Sequence, residues 1–252
     1  MSTVLTPTLS EMLDSKIYVR NNVSFMPVKS LINPFLDNIK YSDSDEITIN
    51  VQNPVINENH DHQSNIAYPR FSVEVNKGVS PLDPNETNVF GLLVAMDQQK
   101  ALIKSYSGTN ATACLNLSIF NAENLFAQDL MGDLTNLWNQ VQRFYRDNEQ
   151  KIELHSNINK QLVETALTNN QVNVRLGAML RNAKHAGLGT SPVVNAAELL
   201  SNKTSTYYFK EENGTTLHNL FNSITQGITD SKDLLSKPTK TLATAQLLGL
   251  LN

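Results

Sequence analysis

The hydrophobic residues of this chain change their spacing once, near residue 126, and that switch limits the folds open to it. Upstream the apolar side chains alternate: Phe71, Val73 and Val75 with Ser72, Glu74 and Asn76, then Leu115, Leu117 and Ile119 with Asn116 and Ser118. Successive side chains of extended backbone point to opposite faces, so alternation marks strands with one buried face. Two apolar runs, 89–96 and 101–106, flank the polar tetrad Asp97-Gln98-Gln99-Lys100 and read as a β-hairpin. Gly78 closes the first strand, and Gly108-Thr109-Asn110 reads as the turn before the last. Together these segments predict an antiparallel sheet over about 70–121.

Downstream, Leu130, Leu134, Leu137, Val141 and Phe144 fall at i, i+4, i+7, i+11 and i+14, the stripe of a long amphipathic helix. Trp138 widens that stripe, and the helix is expected to run on through Ile152. Thr168 is placed to N-cap a second helix, with Val172, Leu176, Met179 and Leu180 inward and Gly187-Leu188-Gly189-Thr190 ending it. Ser191-Pro192 reads as an N-cap and first-position pair opening a helix through Leu200. Gly214-Thr215 opens another, with Leu217, Leu220, Phe221, Ile224 and Ile228 in register. Beyond Pro238, a last helix carries Leu242, Ala243, Gln246, Leu247 and Leu250. Strands first and helices afterwards define an α+β class: an antiparallel β-meander, a long amphipathic helix, and a C-terminal helical section, with helices over about 127–251.

Residues 1–66 are less periodic. Short apolar pieces (Ile17-Tyr18-Val19, Phe25-Met26, Leu31-Ile32, Phe35-Leu36) sit between breakers, which predicts an irregular N-terminal arm ahead of a single α+β domain at 67–252. Within the arm, 47–51 alternates as a short strand, and 57–65, with no apolar residue, reads as an exposed loop.

Composition narrows the function classes. The 252 residues suffice for a sizeable core, and the lone Cys114 excludes an intramolecular disulfide framework. No apolar run is long enough to span a bilayer, and the first twenty residues lack the basic and apolar regions of a signal peptide. The expectation is a soluble protein of a reducing compartment with no membrane partner. Asn occurs 31 times and Ser plus Thr 40 times, which produces six Asn-x-Ser/Thr sequons without implying glycosylation. The net charge of −4 is unevenly spread: residues 1–139 carry 8 Lys/Arg against 15 Asp/Glu, whereas 140–210 carry 9 against 5. A basic middle between acidic flanks suits a polyanion site, or helices with solvated cationic faces.

Motifs for phosphate loops, dinucleotide folds, nucleophile elbows and paired-histidine zinc helices are absent, so no cofactor and no catalytic activity are expected. Gly187-x-Gly189 follows a helix instead of a strand, which suits a helix C-terminus. His60-Asp61-His62 offers two imidazoles and a carboxylate to a metal, but alternating positions project apart, and a solvated loop is the expected reading. His155, His185 and His218 have no acidic partner at triad spacing, and Cys114 has no identifiable base.

The basic middle carries the remaining candidates. Arg143 and Arg146 ride the long helix, Arg175, Arg181 and Lys184 the next, and Lys203, Tyr207, Tyr208 and Lys210 follow. Cations spaced beside aromatic rings are the residue types that track a phosphate backbone while bases stack on the rings. The alternative is that Tyr207, Tyr208 and Phe209 are partly buried anchors.

The segment 167–171 leading into Leu176-Gly177-Ala178-Met179-Leu180-Arg181, then Glu198-Leu199-Leu200, Tyr207-Tyr208 and the helix 217–225, resembles phage- and plasmid-encoded families of unknown function from bacterial mobile elements. Cys114-Leu115-Asn116 is similar to the cysteine-asparagine strand of those families, and the resemblance covers about 89–248. A Trp often found near the start of their late helix is missing here. The resemblance implies a mobile-element protein acting inside a bacterium. The meander followed by a long helix also looks like the core of single-strand annealing recombinases, an analogy of fold. It implies a homo-oligomer that holds single-stranded DNA in a groove, with Arg143, Arg146, Arg175, Arg181, Lys184, Lys203 and Lys210 on phosphates and Tyr207 or Tyr208 stacking. The rival expectation is a protein-interaction module, such as an inhibitor of a host defence system or a virion-associated protein.

Overall fold

The structure, a computed structural model, describes residues 4–19, 24–52, 55–56, 66–79, 86–97, 100–111, 114–125, 133–209, 214–229 and 233–251. The first half contains β1 (Val4–Leu5), α1 (Leu9–Leu13), β2 (Lys16–Val19), β3 (Ser24–Pro27), α2 (Lys29–Asn38), β4 (Glu46–Gln52), β5 (Val55–Ile56), β6 (Ile66–Ala67), β7 (Arg70–Val79), β8 (Glu86–Asp97), β9 (Lys100–Ala111) and β10 (Cys114–Leu125). The second contains α3 (Thr135–Glu149), α4 (Ile152–Glu164), β11 (Ala166–Leu167), α5 (Asn169–Asn182), α6 (Ser191–Ser201), β12 (Thr215–Thr216), α7 (Leu217–Thr229) and α8 (Lys237–Leu247).

The main sheet has the order β1-β4-β7-β8-β9-β10. Links of two residues join β8 to β9 and β9 to β10, too short for the crossover that parallel neighbours need, so this part is an antiparallel meander. The class is α+β, with the meander ahead of the helices. Phe71, Val73 and Val75 of β7 lie opposite Val51, Ile49 and Ile47 of β4, so the alternation in both strands lands on one face. All three β7 side chains are fully buried, each worth about 1.5–3 kcal/mol of transfer free energy.

The chain divides into two compact units, a different partition from an arm ahead of one domain. The first comprises Met1–Gly78, Asn88–Ser107 and Ala122–Gln150; the second comprises Val79–Thr87, Gly108–Asn121 and Lys151–Asn252. The dividing points thus fall inside β7, β8, β9 and β10 and between α3 and α4. In the first unit, α2 and α3 share a core with β4, β7 and β8 (Leu31, Ile32, Phe35, Phe71, Phe90, Leu137 and Val141 among others). In the second, the core is helical, built from Leu162, Leu176, Met179, Val193, Leu220, Phe221 and Ile224 with their neighbours.

Residues 1–66 are not an irregular arm where the structure describes them. Leu31, Ile32, Phe35 and Leu36 form the buried stripe of α2, and Pro34 sits inside that helix, with its carbonyl accepting from Asn38 Nδ2 at 2.8 Å. β2 and β3 pair antiparallel, and β2 also pairs in parallel with β6, giving a second small sheet in the order β3-β2-β6-β5. The loop at 57–65 lies outside the described residues.

Further expectations are corrected. Gly108-Thr109-Asn110 is not a turn but part of β9, because the main chain of Ser118 approaches Gly108 closely enough to leave no room for a Cβ. Gly91 likewise sits beneath the ring of Tyr106, whose hydroxyl donates to Glu74 Oε1 at 2.7 Å. The long helix stops at Glu149 rather than running through Ile152, and α4 is a separate element. Leu180 is exposed instead of inward, and Ser191 is the first residue of α6, not its cap. In α8 the buried side is Pro238, Thr241, Ala243, Thr244 and Ala245, leaving Gln246 exposed.

Buried polar side chains peg each unit. In the first, Ser107 Oγ donates to Asn148 Oδ1 at 2.6 Å, Asn148 Nδ2 donates to the Phe144 carbonyl, and Phe90 meets Tyr145 edge-on at 4.9 Å between ring centroids. In the second, Asn159 donates to Thr109 Oγ1, and the His155 ring tilts against Phe120 at 5.4 Å.

Candidate nucleic-acid interface

The second unit contains a cleft of about 590 Å³ between the first turns of α5 and the end of α6. Its α5 wall follows from an N-cap legible in sequence. Thr168 Oγ1 accepts from the Gln171 amide, and the Gln171 side chain returns to the Thr168 amide, closing a capping box. With the helix start fixed, Asn169, Val172, Asn173 and Leu176 share one face. Asn173 Nδ2 donates to Asn169 Oδ1 at 3.3 Å.

The opposite wall is built by a turn that folds back on α6. Asn202, the C-cap, accepts at its Oδ1 from the amide and hydroxyl of Thr204, at 3.1 and 2.9 Å. Its carbonyl accepts from the Ser205 amide; Ser205 in turn accepts from Tyr207 at its hydroxyl and from Tyr208 at its carbonyl. The Phe209 amide then docks on the Leu200 carbonyl at 2.9 Å. Lys203 therefore leaves the start of the turn and Tyr208 its end, and both line the cleft with Phe209. Buried Val172, Leu176 and Leu200 supply its apolar lining, and exposed Asn169, Asn173 and Ser201 its polar lining. Among the described lining residues Lys203 carries the single charge.

The other sequence candidates lie elsewhere. In the first unit, Arg143 pairs with Glu123 at 2.7 Å, and Arg146 is exposed with Asp147 at 3.9 Å. In the second, Arg175 is half-buried, and its Nη1 donates to the Leu248 carbonyl at 3.3 Å, capping the end of α8. Arg181 and Lys184 are exposed. At 100° per residue, Arg175 and Arg181 both point well away from the face that carries Asn169 and Asn173. Tyr207 packs against the helical core, as an anchor does, and Lys210 lies outside the described residues. The cleft thus unites Lys203 and Tyr208 from the sequence candidates and adds Asn169, Asn173 and Phe209. The signal for the asparagines was present: two amides four apart on the same face as Val172 and Leu176.

His155 is buried and His218 half-buried. Burial, and secondarily the Lys151 charge, pushes His155 down to about 4, and burial also lowers His218, whose Nε2 lies 3.0 Å from Asn222 Nδ2. Gly187 and Gly189, both at positive φ, form the turn after α5, where the Leu188 and Gly189 amides reach back to the Ala183 carbonyl. Among the described residues no three His, Cys, Asp or Glu side chains are grouped to hold a metal; His60 and His62 lie outside them. No helix among the described residues is long and apolar enough to cross a membrane. Compared with known proteins, the chain matches no family model, no curated protein and no solved structure.

Proposed function

We propose that this protein binds single-stranded DNA without catalysing a reaction, as a phage- or plasmid-encoded factor that anneals or protects strands in the bacterial cytoplasm. The observation that carries the reading is the cleft of the second unit, where one lysine, two aromatic residues and two side-chain amides converge on an apolar lining. That set suits a strand with exposed bases, since every base has a face to stack and each nucleotide one phosphate to neutralise. A duplex hides those faces. The remaining cations of α5 turn away from the cleft, and the net charge is −4, so stacking supplies more of the affinity than phosphate neutralisation.

Fluorescence anisotropy of a labelled oligonucleotide across salt concentrations tests this. Binding is expected at low salt with a shallow slope, the logarithm of the affinity falling with the logarithm of salt by about 0.7, as the one phosphate on Lys203 gives on a single strand. Lys203→Ala brings that slope close to zero, whereas Tyr208→Ala weakens binding about tenfold with the slope kept. Absence of binding at low salt overturns the reading.

A second reading, a protein-interaction module, draws on one observation. Leu154, Val163, Val174, Leu180 and Val194 of α4, α5 and α6 are large, apolar and exposed, side chains that a protein partner could cover. A defined complex with a phage or host protein, formed equally well with Tyr208→Ala and indifferent to DNA, would favour it.

A further inference from the structure

We infer that the cleft of the second unit captures one unstacked nucleotide: base inside, edge on the Asn169–Asn173 pair, phosphate on Lys203. This rests on the single-strand reading and sharpens it from a groove that tracks a backbone to a pocket that takes a single residue of the strand. Three observations carry it. First, the volume of about 590 Å³ falls among pockets that enclose a small ligand, roughly 300–1,000 Å³, and its walls belong to short segments of α5, α6 and one turn. A surface tracking many phosphates would be longer and would carry more than one cation.

Second, the lining is divided as a nucleotide is divided. Val172, Leu176 and Leu200 are buried and apolar, suited to the flat face of a base, and Tyr208 and Phe209 offer rings beside them. Lys203 is exposed and has no carboxylate among the described lining residues to neutralise it, which suits a phosphate.

Third, the two amides leave complementary groups over. Asn173 donates through its NH2 to the Asn169 oxygen, so the Asn173 oxygen remains an acceptor and the Asn169 NH2 a donor. A base edge presents a donor beside an acceptor, as adenine does with N6 and N7, and can use both. An inorganic anion, which only accepts, cannot use both. The ligand class is therefore a nucleoside monophosphate, free or as one residue of a strand.

Saturation-transfer NMR on deoxyadenosine monophosphate, with abasic deoxyribose phosphate as the control, tests this on the full chain. The expected result is saturation of the base protons with a Kd on the order of 1 mM, and none for the abasic control. Tyr208→Ala and Asn173→Ala each weaken the nucleotide signal at least about fivefold, and Lys203→Ala weakens it while thermal unfolding of that exposed-site variant stays unchanged. Equal saturation of the abasic control, or a nucleotide signal indifferent to Tyr208→Ala and Lys203→Ala, overturns the pocket. The two ideas fail separately. Oligonucleotide binding without nucleotide binding removes the pocket and leaves the single-strand reading, and nucleotide binding without oligonucleotide binding does the reverse.

Discussion

His155 is the residue whose environment makes the plainest claim on solution behaviour. Its imidazole is buried against Phe120 with Lys151 nearby, and its pKa falls to about 4 from 6.5. Between those values the unfolded chain takes up a proton that the folded chain refuses. Stability from this site is therefore complete above about pH 6.5 and declines as the pH drops toward 4, by ~3 kcal/mol once both states are protonated. Denaturation midpoints measured from pH 7 to 4 are expected to fall, and His155→Phe removes its share of that fall. Parallel curves for the two proteins would show that the ring reaches solvent. Nothing at the level of sequence separates this histidine from His185, which is exposed on the turn after α5. Gly108 is the complementary case: a glycine between polar residues reads as a turn, and only the cross-strand approach of Ser118 explains why it lies within a strand.

Among the elements, α5 and α8 are tied by Arg175, whose guanidinium caps the Leu248 carbonyl. Arg175→Ala is expected to cost about 1 kcal/mol and to lower the melting temperature by about 2–4 °C, with the salt slope of oligonucleotide binding unchanged. A reduced slope at unchanged melting temperature would instead make this arginine a phosphate ligand. The sequence carried the period switch, the β7–β10 meander, the Thr168 cap and the core face of α7, because each rests on local periodicity or capping chemistry. It did not carry α2, since Pro34 looks like a breaker until the buried stripe around it is seen in three dimensions. The break between α3 and α4 escaped for a related reason: no glycine or proline marks Gln150-Lys151. The cleft was half legible. Lys203 and Tyr208 were recognisable by type, but a turn held by Asn202 and Ser205 was needed to bring them to α5.

On the scale of the molecule, β7, β8, β9 and β10 each contribute residues to both units. Trp138 packs against the first core, and five of the eight described helices belong to the second unit. Tryptophan fluorescence therefore reports on the first unit, and far-ultraviolet circular dichroism is weighted toward the second. Shared strands predict that the two signals change at one denaturant midpoint, and separated midpoints would mean that the units unfold independently. The acidic front and basic middle of the sequence take on a more specific meaning here: Arg143 and Arg146 belong to one unit, and Arg175, Arg181, Lys184 and Lys203 to the other.

The turn from Asn202 to Phe209 satisfies its hydrogen bonds from within and from the end of α6, so it stands ready whether or not the cleft is filled. A guest finds the rings already arranged, and no loop has to close over it or reopen to release it. Residence is then brief and set by contact strength alone. Under the proposed single-strand reading, such a hold lets go of its strand without a gate.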